Sequence, residues 1–381
     1  MTDKKNFLTA EQEAWCDAHA DELLTLLKTL GAIPAPSHDE GRRAAFVKAW
    51  LENAGASGVR IDEAQNVIWP ARDDGKGPVT VLMAHTDVVF PDTDPLPLRE
   101  ENGKLYAPGI GDDTANLVSL MMAGRYLIQH PELANGNLIL VANSCEEGLG
   151  NLKGSRRIVQ EYGSRMSALI SIDGSMDAIV NDAVGSERYR IRIRAQGGHS
   201  YKCFGNTNAI VQMAEVIRAL YEKVPVSGAT YNAGVIEGGT TVNSICAECS
   251  LLYEYRSPNQ EGMQDMRAFF EETIRRFREE GMSIDVETLG IRPCRQGVDE
   301  AALRKLTDDM KAIQQTYAGN EIREGAGSTD ANSALGAGIP GVTIGAMRGR
   351  NAHTRDEWVE ISSLLPGLKI TLAVCLDRMR G

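Results

Sequence analysis

Val79-Thr-Val-Leu-Met-Ala-His85-Thr-Asp87 is a short apolar run that ends in a histidine and an aspartate. Following Gly77-Pro78 and rich in apolar and β-branched residues, it reads as a buried parallel strand. Side chains alternate along a strand with a period of two, so His85 and Asp87 project together at its end. A metal-binding histidine usually has its ring oriented by a carboxylate, and a His-x-Asp pair at a strand terminus can supply both groups. A polar cluster that merely caps a turn looks the same, so the reading depends on whether other strands end this way.

Two further strands do. Asn137-Leu-Ile-Leu-Val-Ala-Asn143 reads as buried and runs into Ser144-Cys-Glu146-Glu147-Gly, and Ala168-Leu-Ile-Ser-Ile172 ends in Asp173. Two adjacent glutamates at a buried strand end are costly to hold together unless positive charge sits between them. Gly109-Ile-Gly-Asp112-Asp113 opens a strongly helical stretch, where both aspartates could also be plain helix caps. Asn351-Ala-His353 follows the strand Gly341-Val-Thr-Ile-Gly345. His85, Asp112, Glu147, Asp173 and His353 are therefore candidate metal ligands, able to converge in the crevice beyond the carboxyl ends of a parallel sheet. Two histidines and three carboxylates suit zinc, a shared carboxylate gives a two-metal site, and manganese or cobalt is compatible.

The periodicity divides the chain. Residues 1–184 read as the first part of an α/β domain, with helical spacing from Ala10 to Leu30, a capping box Ser37-His-Asp-Glu40 ahead of a second helix, and a hairpin within Leu98–Tyr106. Near residue 185 the pattern changes: Tyr189-Arg-Ile-Arg-Ile-Arg alternates polar and apolar, as in a strand with one wet face. Residues 185–297 then read β-α-β-β-α-β, a ferredoxin-like insertion. Residues 298–381 resume the first domain, from the helix Glu300–Ala318 to a final helix over Ser362–Arg378. Asp177 and Asp182 read as surface-loop carboxylates.

The chain has 381 residues and a formal net charge of -12, which disfavours a sequence-independent hold on nucleic acid or an anionic membrane. Its first residues lack the apolar segment of a signal peptide, and seven scattered cysteines, an odd number, argue for reduced thiols and a cytoplasmic setting. Cys246-Ala-Glu-Cys249 lies in an alternating stretch that points its two sulfurs to opposite faces, against a metal or redox role.

Seven blocks, His85-Thr-Asp87, Gly109-Ile-Gly-Asp112-Asp113, Cys145-Glu146-Glu147-Gly148, Ile172-Asp173-Gly174, Gly198-His199-Ser200, Ser328-Thr-Asp330-Ala-Asn332 and Ala352-His353-Thr354, resemble in order those of one family. It is the family of two-zinc exopeptidases and amidohydrolases that includes peptidase T, glutamate carboxypeptidase, aminoacylase and succinyl-diaminopimelate desuccinylase. The resemblance implies a mostly parallel-sheet catalytic domain with an inserted ferredoxin-like lid and dimerisation domain. It implies that Asp112 bridges two zinc ions, with His85 and Asp173 on one and Glu147 and His353 on the other, and that a cis peptide follows Asp112. Glu146 matches the general base that activates the bridging water, and Asp87 the residue that orients His85. His199 matches a lid histidine that stabilises the oxyanion, reaching the other subunit's site in dimeric members. Asn243 and Arg256 match positions that hold the substrate's carboxylate.

Two departures concern the substrate. Asp113-Thr114-Ala115 stands where many relatives carry a lysine, and Arg348-Gly-Arg350-Asn-Ala-His353 brings two extra arginines, of which Arg350 is a candidate anchor for an acidic group. The expectation is a homodimeric, metal-dependent hydrolase of a short peptide. An N-acyl-amino-acid deacylase, or a catalytically silent binder of amino acids or peptides, remains an alternative.

Overall fold

A computed structural model describes residues 6–133, 135–226 and 228–380. Met1–Lys5, the start of the stretch expected to lack a signal peptide, lie outside them. Among the described residues no helix is long and apolar enough to cross a membrane. The chain divides into two compact units, Met1–Ala183 with Gln296–Gly381, and Val184–Arg295.

The first unit is built on an eight-stranded sheet. Its centre is Val79–His85, buried along its whole length because helices cover both faces of a parallel strand. It pairs in parallel with Asn137–Asn143 on one side and Met166–Ile172 on the other, and Gly341–Ile344 extends the parallel array. The sheet is completed by Arg60–Ile61 and Val67–Arg72 at one edge, and by Ala178–Ala183 and Arg323–Gly327 at the other. From the central strand the chain passes first to one neighbour and then, across it, to the other. The carboxyl end of Val79–His85 therefore lies at a topological switch point, where open α/β sheets bind their ligands. The helices Asn116–Gln129 and Ile361–Met379 bury long runs of apolar side chains and carry the core around the strands. A second small sheet joins Gly349–Arg350, Trp358–Glu360, Lys104–Tyr106 and Arg99–Glu101, so the expected hairpin is present and the last strands are stitched to it.

The second unit is a four-stranded antiparallel sheet in the order Thr230–Gly238, Glu248–Ser257, Gly185–Arg194, Ser283–Arg292. With the helices Ala209–Leu220 and Gln260–Glu279 it is β-α-β-β-α-β, the ferredoxin-like arrangement. Inward residues such as Ile191, Tyr253, Tyr255 and Phe270 make its own core.

Two local expectations are corrected. Ser37 and Glu40 form no capping box, because tertiary partners claim both side chains: Ser37 donates to Asp87 (2.7 Å), and Glu40 accepts from the Cys145 N–H (3.0 Å). Asp177 does lie in a part-exposed turn, where it holds the guanidinium of Arg348 at 2.8 Å. Asp182 lies within the strand Ala178–Ala183 instead of a loop.

Candidate metal centre

His85 is the last residue of the central strand, and its side chain is fully buried. Its Nδ1 lies 3.0 Å from the main-chain carbonyl of Asp87, which can only accept, so Nδ1 carries the proton. In the neutral ring Nε2 then presents a lone pair, and it faces Asp112 Oδ1 at 3.1 Å. The other oxygen, Asp112 Oδ2, lies 3.1 Å from His353 Nε2. Lone pairs opposed in this way repel unless a cation or a proton lies between them.

Five side chains converge as two groups that share Asp112. His85, Asp112 and Asp173 form one, and Asp112, Glu147 and His353 the other; within each, the donor atoms lie within 4.8 Å of one another. Donors of a tetrahedral zinc ion, bonded at roughly 2.0–2.2 Å, sit roughly 3.3 Å apart, close to the 3.1 Å and 3.2 Å spacings about Asp112 and His353. Glu147 Oε1 is buried without a partner in hydrogen-bond geometry. The donor set thus fits a pair of divalent ions.

The electrostatics agree. Burial opposes charge on His85, yet Asp113, Asp112 and Asp87 outweigh it and hold the imidazole well above its usual range. Contacts with Asp112 and Glu147 draw the His353 imidazole up to about 10. Burial and the neighbouring Asp112 push the Asp173 carboxyl up to about 7, while the two imidazoles overcome burial and hold Asp112 low. A cluster this negative demands positive charge.

Asp87 is the support beneath it. Its fully buried carboxylate accepts from the Glu146 N–H (2.9 Å), the Glu147 N–H (3.0 Å) and the Ser37 hydroxyl (2.7 Å), besides lying 3.4 Å from His85 Nδ1. Hydrogen bonds to a charged group contribute about 1.5–3 kcal/mol each, so three of them offset a desolvation cost of several kcal/mol. Burial pushes this carboxyl up, but His85, Ser37 and the Glu146 amide hold it low. One carboxylate thereby fixes His85 and the backbone of both glutamates. Glu146 itself is buried, on a turn where Cys145 (φ 56°) and Gly148 (φ 41°) reverse the chain.

The peptide between Asp112 and Asp113 is cis, as the resemblance implies. Neither aspartate caps the following helix. Asp113 is buried instead, accepting from the His85 N–H (2.8 Å) and the Asn116 amide (2.7 Å), with its carboxyl raised by burial and by Asp173.

His199 sits on a short exposed strand of the second unit, where its Nδ1 accepts from the amides of Tyr201 (3.2 Å) and Lys202 (3.4 Å), leaving the proton on Nε2. Asn243 is its neighbour, the Asn243 carbonyl accepting from the Ser200 N–H at 3.0 Å. Arg256 spends its fork on Glu254, at 3.0 and 3.1 Å. Arg350 is exposed, in a strand three residues before His353.

Sequence reasoning missed several supports. Arg43 is fully buried and donates to the carbonyls of Ile33 (2.7 Å) and Thr86 (2.9 Å) and to the Thr114 hydroxyl (3.1 Å). Asp330, quoted in one of the resembling blocks but given no role there, accepts from Asn143 at 2.6 Å, and burial raises its carboxyl. Glu357 gathers three amides of the Gly109–Asp112 segment, and burial pushes its carboxyl up to about 7.

An aspartate flanked by two imidazoles at the switch point of an α/β sheet is a donor set suited to the metal-dependent hydrolase class that the family match establishes. The sequence profile of peptidase family M20/M25/M40 matches residues 81–377, and the chain belongs to that family. A Mycobacterium tuberculosis protein provisionally named succinyl-diaminopimelate desuccinylase DapE is 28% identical over 357 residues, covering 90% of this chain and 94% of its own length. The fold is shared with aminopeptidase PepT of Bacillus cereus (TM-score 0.70, 21% identity, 95% of this chain and 99% of that one). It is shared too with human carnosine dipeptidase 1 (TM-score 0.71, 16% identity, 97% and 99%).

Proposed function

We propose that the protein hydrolyses an amide bond in a short peptide, as a di- or tripeptidase or a carboxypeptidase, using two metal ions shared through Asp112. The position of Asp112 between two imidazoles is the observation that carries this reading. His85 and Asp173 would hold one ion, Glu147 and His353 the other; zinc suits this donor set, and cobalt or manganese would also bind. When bound, such a pair would supply Lewis acidity for the scissile carbonyl and the attacking water.

The chain's own residues do the rest. Glu146 takes a proton from the attacking water as its oxygen bonds the carbonyl carbon, then delivers that proton to the amine nitrogen as the C–N bond breaks. Asp87 keeps Glu146 and His85 in register. His199, with its proton on Nε2, is suited to donate to the oxyanion. Asn243, Arg256 and Arg350 are proposed to hold the substrate's carboxylate, for which an arginine fork is well shaped, Arg256 exchanging its Glu254 partner for the substrate.

A homodimer through the second unit is favoured by the exposed edge strand Thr230–Gly238, where Val235 and Ile236 are 46% and 53% exposed, and by Ile210 and Val211 on the adjoining helix. A reducing, cytoplasmic setting suits seven free thiols.

The desuccinylase name of the tuberculosis relative favours a second reading, an N-acyl-amino-acid deacylase. A panel of di- and tripeptides against N-acetyl and N-succinyl amino acids, each with zinc, cobalt and manganese, separates the two. Turnover of peptides alone supports the first reading, and turnover of acyl amino acids alone replaces it with the second. No turnover of either with any metal rejects both.

A further inference from the structure

Glu357 lies four residues beyond His353, where the chain enters the strand Trp358–Glu360, and it is only 2% exposed. That strand pairs with Lys104–Tyr106, and the Glu357 carbonyl accepts from the Ala107 N–H at 3.1 Å, so this register sets Glu357 directly against the segment leading to Asp112. Its carboxylate is filled by that segment's backbone. Oε2 accepts from the Gly109 N–H (2.9 Å), and Oε1 from the N–H groups of Gly111 (2.7 Å) and Asp112 (2.7 Å).

Three convergent N–H donors call for an acceptor-only group with two oxygens. An amide would turn its NH2 toward at least one of them. The motif Gly109-Ile-Gly-Asp112 is built for this approach. Gly109 has a φ of 68°, and a Cβ at Gly111 would come within 3.1 Å of Glu357 Oε1, 3.0 Å of Met347 and 3.1 Å of Val359.

We propose that Glu357 is a positioning residue of the metal centre, locking the backbone of Asp112 to the loop that carries His353 so that two ligands from distant parts of the chain keep a fixed separation. This rests on the reading of Asp112 and His353 as ligands. Both Glu357 oxygens are taken up by backbone amides, so it acts through the amide of Asp112 and through the four-residue link to His353. Partners of this kind behind a metal site set its affinity as strongly as they set its geometry.

The test is metal binding by the full chain, stripped with a chelator and titrated with zinc against a competing dye, and with cobalt read from its visible spectrum. E357Q is expected to weaken zinc binding roughly 10–100-fold and to alter the cobalt spectrum, with E357D in between. Leu105 is buried in the same small sheet, opposite Val359; L105A should lower the melting temperature yet leave zinc affinity within about twofold, since it removes packing and no hydrogen bond to the Asp112 segment. Wild-type zinc affinity in E357Q overturns the proposal, as does an equal loss in L105A, which would make the effect one of general stability. If E357Q fails to fold, E357D carries the test, and wild-type affinity in it is equally fatal. A wild-type chain that takes up no zinc removes the ligand reading itself, and Glu357 with it.

Discussion

Asp112 Oδ1 and His85 Nε2 face each other at 3.1 Å while His85 Nδ1 meets the Asp87 carbonyl on the far side of the ring, so a proton or a cation must lie between them. The same aspartate faces His353 at 3.1 Å through its second oxygen. Both contacts become favourable once a cation lies between nitrogen and oxygen. The sheet, the small hairpin sheet and the Asp87 network all serve this spacing.

Glu146 is the residue whose loss should separate binding from turnover. Glu146→Gln is expected to lower kcat by about 10²–10⁴-fold, the usual contribution of a general base, while metal content stays at the wild-type value. Steady-state kinetics beside elemental analysis check this. Wild-type kcat in the variant would remove Glu146 from the base role.

The second unit carries a pH-sensitive element of its own. Burial pushes the Glu187 carboxyl up, but Arg267, Tyr189 and Tyr255 outweigh it and hold it below its ordinary 4.5. A carboxyl depressed on folding stabilises fully above its unfolded value and loses that contribution as pH falls through the folded value. The melting-temperature gap between wild type and Glu187→Gln should therefore be widest near neutral pH and shrink as pH drops below about 4.5. A gap that stays constant down to pH 3 would contradict this.

Thiol chemistry gives a quick check on packing. Cys203 is part-exposed and the other six cysteines are buried, with burial pushing the thiols of Cys16, Cys145 and Cys375 up to about 12. A thiolate-specific reagent should label Cys203 first in the native protein and the others only on unfolding. Rapid labelling of Cys145 would mean that the turn carrying Glu146 is open.

Much of the site was legible because parallel strands announce themselves. His85, Glu147 and Asp173 each follow a continuous apolar run, and the switch point of the sheet gathers whatever those ends carry. Asp112 and Asp113 were ambiguous, since a helix start explains acidic residues locally, and only the burial of Asp113 against the His85 amide decides it. Ser37 and Glu40 read as a capping box by local spacing, yet both are claimed by segments far along the chain. Glu357 was invisible for the same reason, as its partners lie in a segment remote in sequence. Arg43 left a faint trace, sharing a helix face with Val47 and Leu51, both buried.

Metal stoichiometry in Asp112→Ala beside His353→Ala tests the shared aspartate most directly. Wild type should bind two equivalents, His353→Ala should keep one, and Asp112→Ala, which strips a donor from both groups, should hold neither ion at concentrations that saturate the wild type. An Asp112→Ala protein that still binds two equivalents with wild-type affinity would show that the ions are not shared through this residue.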